Sequence, residues 1–293
     1  MIWIAVLALL LLALCGAPLF AIILGAAAIG FLTMDTPLAV LHITIYQLTD
    51  SVVLMALPLF TFAGFLLSEA KTADRMMRLS QAAFGWLPGG MALVALVACA
   101  FFTALTGGSG VTIVALGALL LPALAKAGYQ EKFNLGLMTS SGSLGLLLVP
   151  SVPLLVYGII AQQMSQQLDM PSVEITDLYL AGLVPALLMI VALYLWCLWA
   201  MRKQPVPKQA FSFAELRGAL WDARWELPLP VVVLGGIFSG VLVVSEAAAV
   251  TALYVLVAEV LLYRDIPLRK LPQIMRESMV MVGGILLILA VAL

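Results

Sequence analysis

The sequence predicts an all-α polytopic membrane protein, and three observations carry the prediction. Of 293 residues, 64% are hydrophobic and only 10% charged, against ~25% charged in soluble domains. The mean hydropathy is +1.17. The charges are collected in a few short segments between long apolar runs. A chain this apolar cannot cover its own surface in water, which excludes a soluble globular enzyme. A disordered chain is excluded for the same reason. The 14 basic and 15 acidic residues nearly cancel, which excludes a nucleic-acid binder.

The first apolar run continues to about Thr33 and has no basic residue before it. It is far longer than the core of a signal peptide, so it reads as retained membrane structure. As one helix it would reach roughly 50 Å, more than the ~30 Å hydrocarbon core. The run must tilt, break or lie partly in the interface, and Gly16 and Pro18 are the natural break. Cys15, Cys99 and Cys197 stand alone in apolar runs, without metal-site or redox spacing. They read as small buried hydrophobes. His42, the one histidine, reads as an interfacial side chain.

The charge distribution sets the topology. All 14 Lys and Arg fall in segments 69–85, 126–132, 201–226 and 263–277. Segments 34–50 (Asp35, Asp50) and 162–177 (Asp169, Glu174, Asp177) are acidic and contain no basic residue. Loops rich in Lys and Arg stay cytoplasmic, so the four basic segments face inward and the two acidic ones outward. The chain then divides into transmembrane helices at 1–85, a hairpin plus a discontinuous helix at 86–161, and an outer loop and transmembrane helix at 162–200. A cytoplasmic amphipathic segment follows at 201–226, then transmembrane helices at 227–293. Trp221 and Trp225 make 201–226 an interfacial helix.

Parity requires 86–125 to leave and return. Its midpoint, Leu105-Thr106-Gly107-Gly108-Ser109-Gly110-Val111-Thr112, is poor helix chemistry at membrane depth. Freed backbone there must be buried in protein or line a wet cavity, so a re-entrant helical hairpin is favoured over two ordinary spans. Residues 227–262 must also return. They break at Ser245-Glu246, where Ser245 can cap a helix starting at Glu246. The functional alternative there is an ion or proton site.

Residues 133–161 should cross once, yet they are interrupted by Thr139-Ser140-Ser141-Gly142-Ser143 and by Val149-Pro150-Ser151-Val152-Pro153. Each proline removes a donor and exposes a carbonyl a turn earlier. A discontinuous helix near the midplane is how secondary transporters build sites: unwound carbonyls hold a cation and half-helix N-termini face an anion. Neutral oxygens without a carboxylate cage suit a monovalent cation rather than calcium or magnesium. No catalytic residue set is present, and no metal other than such a cation is expected.

Several of these residues resemble the large permease subunit of tripartite ATP-independent periplasmic (TRAP) transporters, the DctM-like family. They are Met55-Ala56-Leu57-Pro58-Leu59-Phe60-Thr61-Phe62-Ala63-Gly64, Gly89-Gly90, Phe101-Phe102, the Thr106–Thr112 loop and Leu121-Pro122-Ala123-Leu124 with Ala127-Gly128-Tyr129. The most specific block is Ser141-Gly142-Ser143-Leu144-Gly145 with Pro150-Ser151-Val152-Pro153 and Tyr157-Gly158. Leu180-Ala181-Gly182-Leu183-Val184-Pro185 and Gly235-Gly236-Ile237-Phe238-Ser239-Gly240 with Ser245-Glu246-Ala247-Ala248-Ala249 complete it, from end to end and in order.

The resemblance implies an elevator-type, multi-pass transporter of a bacterial or archaeal cytoplasmic (inner) membrane. It implies uptake of organic acids such as dicarboxylates, with Na+ as coupling ion and no other cofactor. It also implies two partners: a small four-helix membrane subunit and an extracytoplasmic substrate-binding protein. Residues 1–85 would be scaffold-like and 86–161 transport-domain-like. Carried over by position, Thr106, Ser109, Gly145, Val149 and Pro150 bind sodium. Gly107, Gly108, Gly110 and Thr112 form the hairpin tip, and Ser141, Ser143 and Ser151 are substrate-side candidates. The family often has serine where Thr106 and Gly108 stand and a double proline where Val149-Pro150 stands. It is also considerably longer, with a second, inverted hairpin and broken helix, so this chain is expected to carry the first repeat and linking helices. The competing functions are a binding-protein-independent anion/sodium symporter of the same elevator class and, more remotely, an intramembrane enzyme.

If the broken segments form a cation site, Ser109→Ala and Pro150→Ala should weaken sodium activation of uptake more than they weaken membrane insertion. Uptake assayed alongside surface expression separates the two; a parallel fall in both would make these residues packing elements.

Overall fold

The computed structural model describes residues 2–34, 37, 46, 52–149, 151–167, 171, 173–202 and 211–292. Asp35, His42, Asp50, Pro150 and Asp169, all singled out by sequence, lie outside the described residues, as do Lys203 and Lys208 of the 201–226 segment. Every regular element among those described is helical. The helices are α1 (Ile2–Leu14), α2 (Leu19–Thr33), α3 (Ala56–Glu69), α4 (Thr72–Phe84), α5 (Gly90–Thr106), α6 (Ser109–Lys126) and α7 (Glu131–Ser141). Then come α8 (Val152–Gln167), α9 (Ile175–Met201), α10 (Phe213–Asp222), α11 (Pro228–Phe238), α12 (Val244–Leu256) and α13 (Leu271–Ala292). A π-helical stretch, Val257–Leu262, extends α12.

The described helices Ser109–Lys126, Ile175–Met201, Val244–Leu262 and Leu268–Val291 are long and apolar enough to cross a membrane. The pair Glu131–Leu147 and Val152–Gln162 passes the same test together, bent by 45°. Many of their large apolar side chains are exposed, including Leu187, Leu188, Leu195, Trp196 and Val280. Only lipid makes such a surface inexpensive. This is an all-α polytopic membrane protein.

The opening run breaks where the sequence places the break. Gly16 takes φ +81°, and Pro18, which lacks an N–H, precedes α2. The chain folds back, with Leu9 against Gly25, and α2 packs on α13.

Inside, two buried clusters form. One gathers α3, α8, α11, α12 and α13 around Leu57, Phe60, Leu66, Leu155 and Val255. The other gathers α5, α6 and α7 around Leu96, Phe102, Leu116, Leu120 and Met138, joined by Cys197 and Met201 of α9. Because lipid is as apolar as leucine, helices here associate by close packing and small residues. Helix α5 is buried on nearly all sides, and its Ala92, Ala95, Ala98 and Ala100 let neighbours approach. The two cysteines in the second cluster are buried and free, as expected of small hydrophobes, whereas Cys15 is exposed.

The basic segments gather at one end. Arg75 of α4 pairs with Glu226, Glu259 and Asp265; Arg78 pairs with Asp222, and Lys270 with Glu69. These contacts tie 69–85, 201–226 and 263–277 together. Segment 126–132 follows α6, at the end of the α5–α6 hairpin away from its Gly107 turn. On α10, Ser212 accepts the Glu215 N–H at 3.4 Å and Trp221 is exposed.

One expectation is corrected. Helix α12 starts at Val244, so Ser245 lies inside its first turn and does not cap it. The cap is the exposed Glu246 carboxylate, which accepts the Val243 N–H at 3.0 Å. A glutamate three residues into a helix reaches back to the orphan N–H, which a serine one residue earlier cannot do.

Gly64 of α3 packs against the end of α5, and a Cβ there would stand 2.4 Å from the Thr106 carbonyl oxygen. Gly64→Ala should therefore cost about 1–3 kcal/mol in detergent unfolding. Gly117→Ala, where nothing lies within 4 Å, should be neutral or stabilising by up to ~1 kcal/mol.

Candidate functional site

The site is where four helix ends meet. Helix α5 ends at Thr106 and α6 starts at Ser109, with only Gly107 and Gly108 between them. Gly107 turns the chain in the left-handed region at φ +70°, which glycine adopts without strain. A Cβ there would meet a Val152 side-chain carbon at 2.8 Å, so the tip sits on the first residue of α8. Helix α7 ends at Ser141, and Leu144–Leu147 form a 3-10 turn before α8 begins. Two C-termini and two N-termini thus converge. Helix C-termini carry partial negative charge and N-termini partial positive charge. By the length of α5 the tip lies about 24 Å from that helix's start at Gly90.

Close backbone approach holds this junction. A Cβ at Gly145 would stand 2.2 Å from the Ala100 carbonyl and 2.5 Å from the Ala104 nitrogen. At Gly182 of α9 it would stand 2.6 Å from the Leu147 carbonyl. The 3-10 turn is therefore seated between α5 and α9, backbone against backbone.

A hydroxyl cluster lies inside. The Thr103 hydroxyl lies 2.7 Å from that of Thr112 and 2.9 Å from the Gly142 carbonyl. Thr112 also reaches the Gly108 carbonyl at 3.1 Å, and the Thr106 hydroxyl at 3.4 Å. Thr106 donates to the Phe102 carbonyl at 2.9 Å. All three threonines are buried. Each hydroxyl has one proton and two lone pairs, so three protons serve these five contacts and oxygen lone pairs are in surplus. Such a cluster, without a carboxylate, can accept a small cation.

The structure brings together Thr106, Gly107, Gly108, Thr112 and Gly145 of the residues read from the sequence. Ser109 is partly buried at the start of α6, and Gly110 is exposed. Val149 is buried in the cluster built on α3; Pro150 is not among the described residues. Ser151 is buried and bridges the break: its hydroxyl donates to the Leu146 carbonyl, and its oxygen accepts the Leu154 N–H at 3.4 Å. Ser141 is fully buried and donates to the Met138 carbonyl at 3.2 Å, whereas Ser143 is exposed and donates to the Ser140 carbonyl at 3.0 Å. These two serines do not share a face. Sequence reasoning missed Thr103 and the Gly142 carbonyl as cluster members. Thr103 sits one turn before the glycine-rich tip, so the i, i+3 spacing to Thr106 was the available signal.

The chain matches the family described as the DctM component of tripartite ATP-independent periplasmic transporters over residues 3–293. It is 33% identical over 278 residues to a C4-dicarboxylate TRAP transporter large permease of Rhodobacter capsulatus, covering 92% of this chain and 63% of that protein. It is 32% identical over 266 residues to an ectoine/5-hydroxyectoine TRAP large permease of Ruegeria pomeroyi, covering 89% and 60%. An isethionate TRAP permease DctMQ of Oleidesulfovibrio alaskensis is 33% identical over 255 residues, covering 86% and 38%. The chain thus spans at most about two-thirds of the length of these relatives.

Thr112→Val removes the hydroxyl that faces both Thr103 and Thr106. It should cost about 1–3 kcal/mol in detergent unfolding. Thr139→Val, at an exposed hydroxyl on α7, should stay within ~0.5 kcal/mol.

Proposed function

This chain belongs to the DctM family of TRAP transporter permeases, and from that premise we propose that it builds one half of a sodium-coupled uptake site for organic acids. The observation that carries this reading is the convergence of four helix ends on a buried cluster of neutral oxygens. The C-termini of α5 and α7, with the Thr103, Thr106 and Thr112 oxygens, suit a dehydrated monovalent cation. The N-termini of α6 and α8 suit a carboxylate placed beside it. Substrate charge and ion charge then offset each other inside the apolar region. This makes loading of both less costly than loading of either.

Ser109, Gly145, Val149 and Pro150 contribute to the same cation site through backbone carbonyls and the serine hydroxyl. Ser151 lies nearest the break and is the best of the three serines for the substrate side. The α5–α6 hairpin is re-entrant, entering and leaving from the charged, cytoplasmic face of a bacterial or archaeal inner membrane. The hairpin and the broken helix, residues 86–161, move together in an elevator fashion against a scaffold that includes residues 1–85. Substrate arrives on an extracytoplasmic binding protein, and a small membrane subunit braces the scaffold. The substrate is a small organic acid, in keeping with the C4-dicarboxylate relatives. As a permease the chain is not an enzyme.

The test is uptake into proteoliposomes by the intact transporter containing this chain. Replacing sodium by potassium should abolish uptake, and omitting the binding protein should do the same. Uptake that persists in potassium would refute the sodium site. Uptake in sodium without the binding protein would favour a self-sufficient symporter.

A further inference from the structure

The charged end holds a second site, which sequence reasoning passed over. Arg75 is surrounded by three carboxylates: its Nε lies 2.5 Å from Glu226, one terminal nitrogen 3.0 Å from Glu259 and the other 2.6 Å from Asp265. The Tyr263 ring covers the guanidinium, 3.9 Å from its centroid. The Thr72 hydroxyl donates to Glu259 at 3.3 Å, and the Lys71 N–H donates to Asp265 at 3.1 Å. Tyr254 and Tyr263 donate to the Trp225 and Asp222 carbonyls, fixing the backbone just before Glu226. The exposed pairs Arg78–Asp222 and Lys270–Glu69 neutralise themselves nearby.

Two features do not balance. One guanidinium faces three carboxylates. Also, Oε2 of Glu226 is buried with no hydrogen-bond partner, on a residue only 3% exposed. An ionised carboxylate oxygen left dry and unpaired is costly. A metal ion would need several free ligands; among the described residues no group of three ligating side chains is arranged to hold one. A proton needs neither room nor a coordination shell.

We propose that this cluster is a proton-binding site, in which Glu226 and Glu259 share one proton through the Thr72 hydroxyl. Protonation turns the orphan oxygen of Glu226 into a donor, and the Thr72 hydroxyl, which donates to Glu259 and lies beside Glu226, is its acceptor. The remaining charge is one guanidinium against two carboxylates, the arrangement a buried arginine accommodates by bidentate bonding. The site joins α4, the 223–227 connection, the end of α12 and the 263–266 loop. The proton therefore fastens these elements to one another at the charged end.

The direction agrees. Burial pushes the Glu226 carboxyl above the usual carboxylate range; Arg75 and Thr72 pull it down, and Asp265 pushes it further up. A carboxyl raised on folding stabilises the fold below its ordinary pKa and loses that contribution as pH rises through the raised value.

The full chain, purified in detergent, tests this. Its melting temperature should fall by about 3 °C per pH unit as pH rises through that window. An infrared carboxylic-acid carbonyl band should titrate over the same range. Glu226→Gln, which mimics the protonated state, should melt as the acid form does, lose the pH dependence and lose the band. Glu259→Gln should flatten the profile in the same way, and Glu69→Gln should leave it unchanged. A wild-type profile flat in pH would overturn the proposal. So would Gln variants that are destabilised at every pH, since the site would then need both carboxylates ionised. Stabilisation of the wild type by added sodium or potassium, absent in Glu226→Gln, would make it a metal-cation site instead.

Discussion

A backbone that breaks inside an apolar layer must find every hydrogen-bond partner within the protein. The architecture follows from that demand at one junction. The hairpin turns at Gly107 and the long helix opens at Gly142–Ser151, and each break leaves carbonyls and N–H groups without helical partners. Neither could exist alone in lipid. Packed together, they satisfy each other: Thr103 reaches the Gly142 carbonyl, Ser151 spans its own break, and Thr112 closes on the carbonyl before its helix. Glycines at 64, 145 and 182 follow from this, because only backbone-to-backbone distance brings the breaks within reach. The surplus of oxygens left over is what a cation can use.

The opposite end obeys the same rule with charges in place of peptide groups. Arg75 cannot be buried without partners, and two stretches far from it in the chain, around Glu226 and from Glu259 to Asp265, supply them. The two poles divide the labour. The uncharged pole sits deep, where ionised groups are expensive, and offers neutral dipoles. The charged pole sits at the surface and fixes which loops lie together. The buried apolar clusters between them transmit rigidity but specify little by themselves, since lipid competes on equal terms for every leucine.

Much of this was legible beforehand. Gly16-Ala17-Pro18 marked the first break, because no helix of that length fits a bilayer. The glycine-rich tip and the proline-broken helix were conspicuous because such residues are expensive at depth. The segregation of Lys and Arg gave the shared end. Other features were not legible. Thr103 looked like one more helical threonine, since nothing local reveals that a carbonyl thirty-nine residues away faces it. Glu259 was absorbed into an apolar run, since its partners Arg75 and Thr72 are nearly two hundred residues distant. Ser245 and Glu246 both fit a helix start, and only the backbone geometry chose the glutamate.

By itself the sequence determined the class, the places where helices must stop, and the family. These are properties of transfer energies and backbone chemistry, which act residue by residue and need no knowledge of neighbours. Tertiary structure alone decided that the two breaks meet, that three threonine oxygens and a distant carbonyl form one cluster, and that one arginine gathers three acids. Those are properties of pairs remote in the chain. Their energies exist only once packing has set the distances between them.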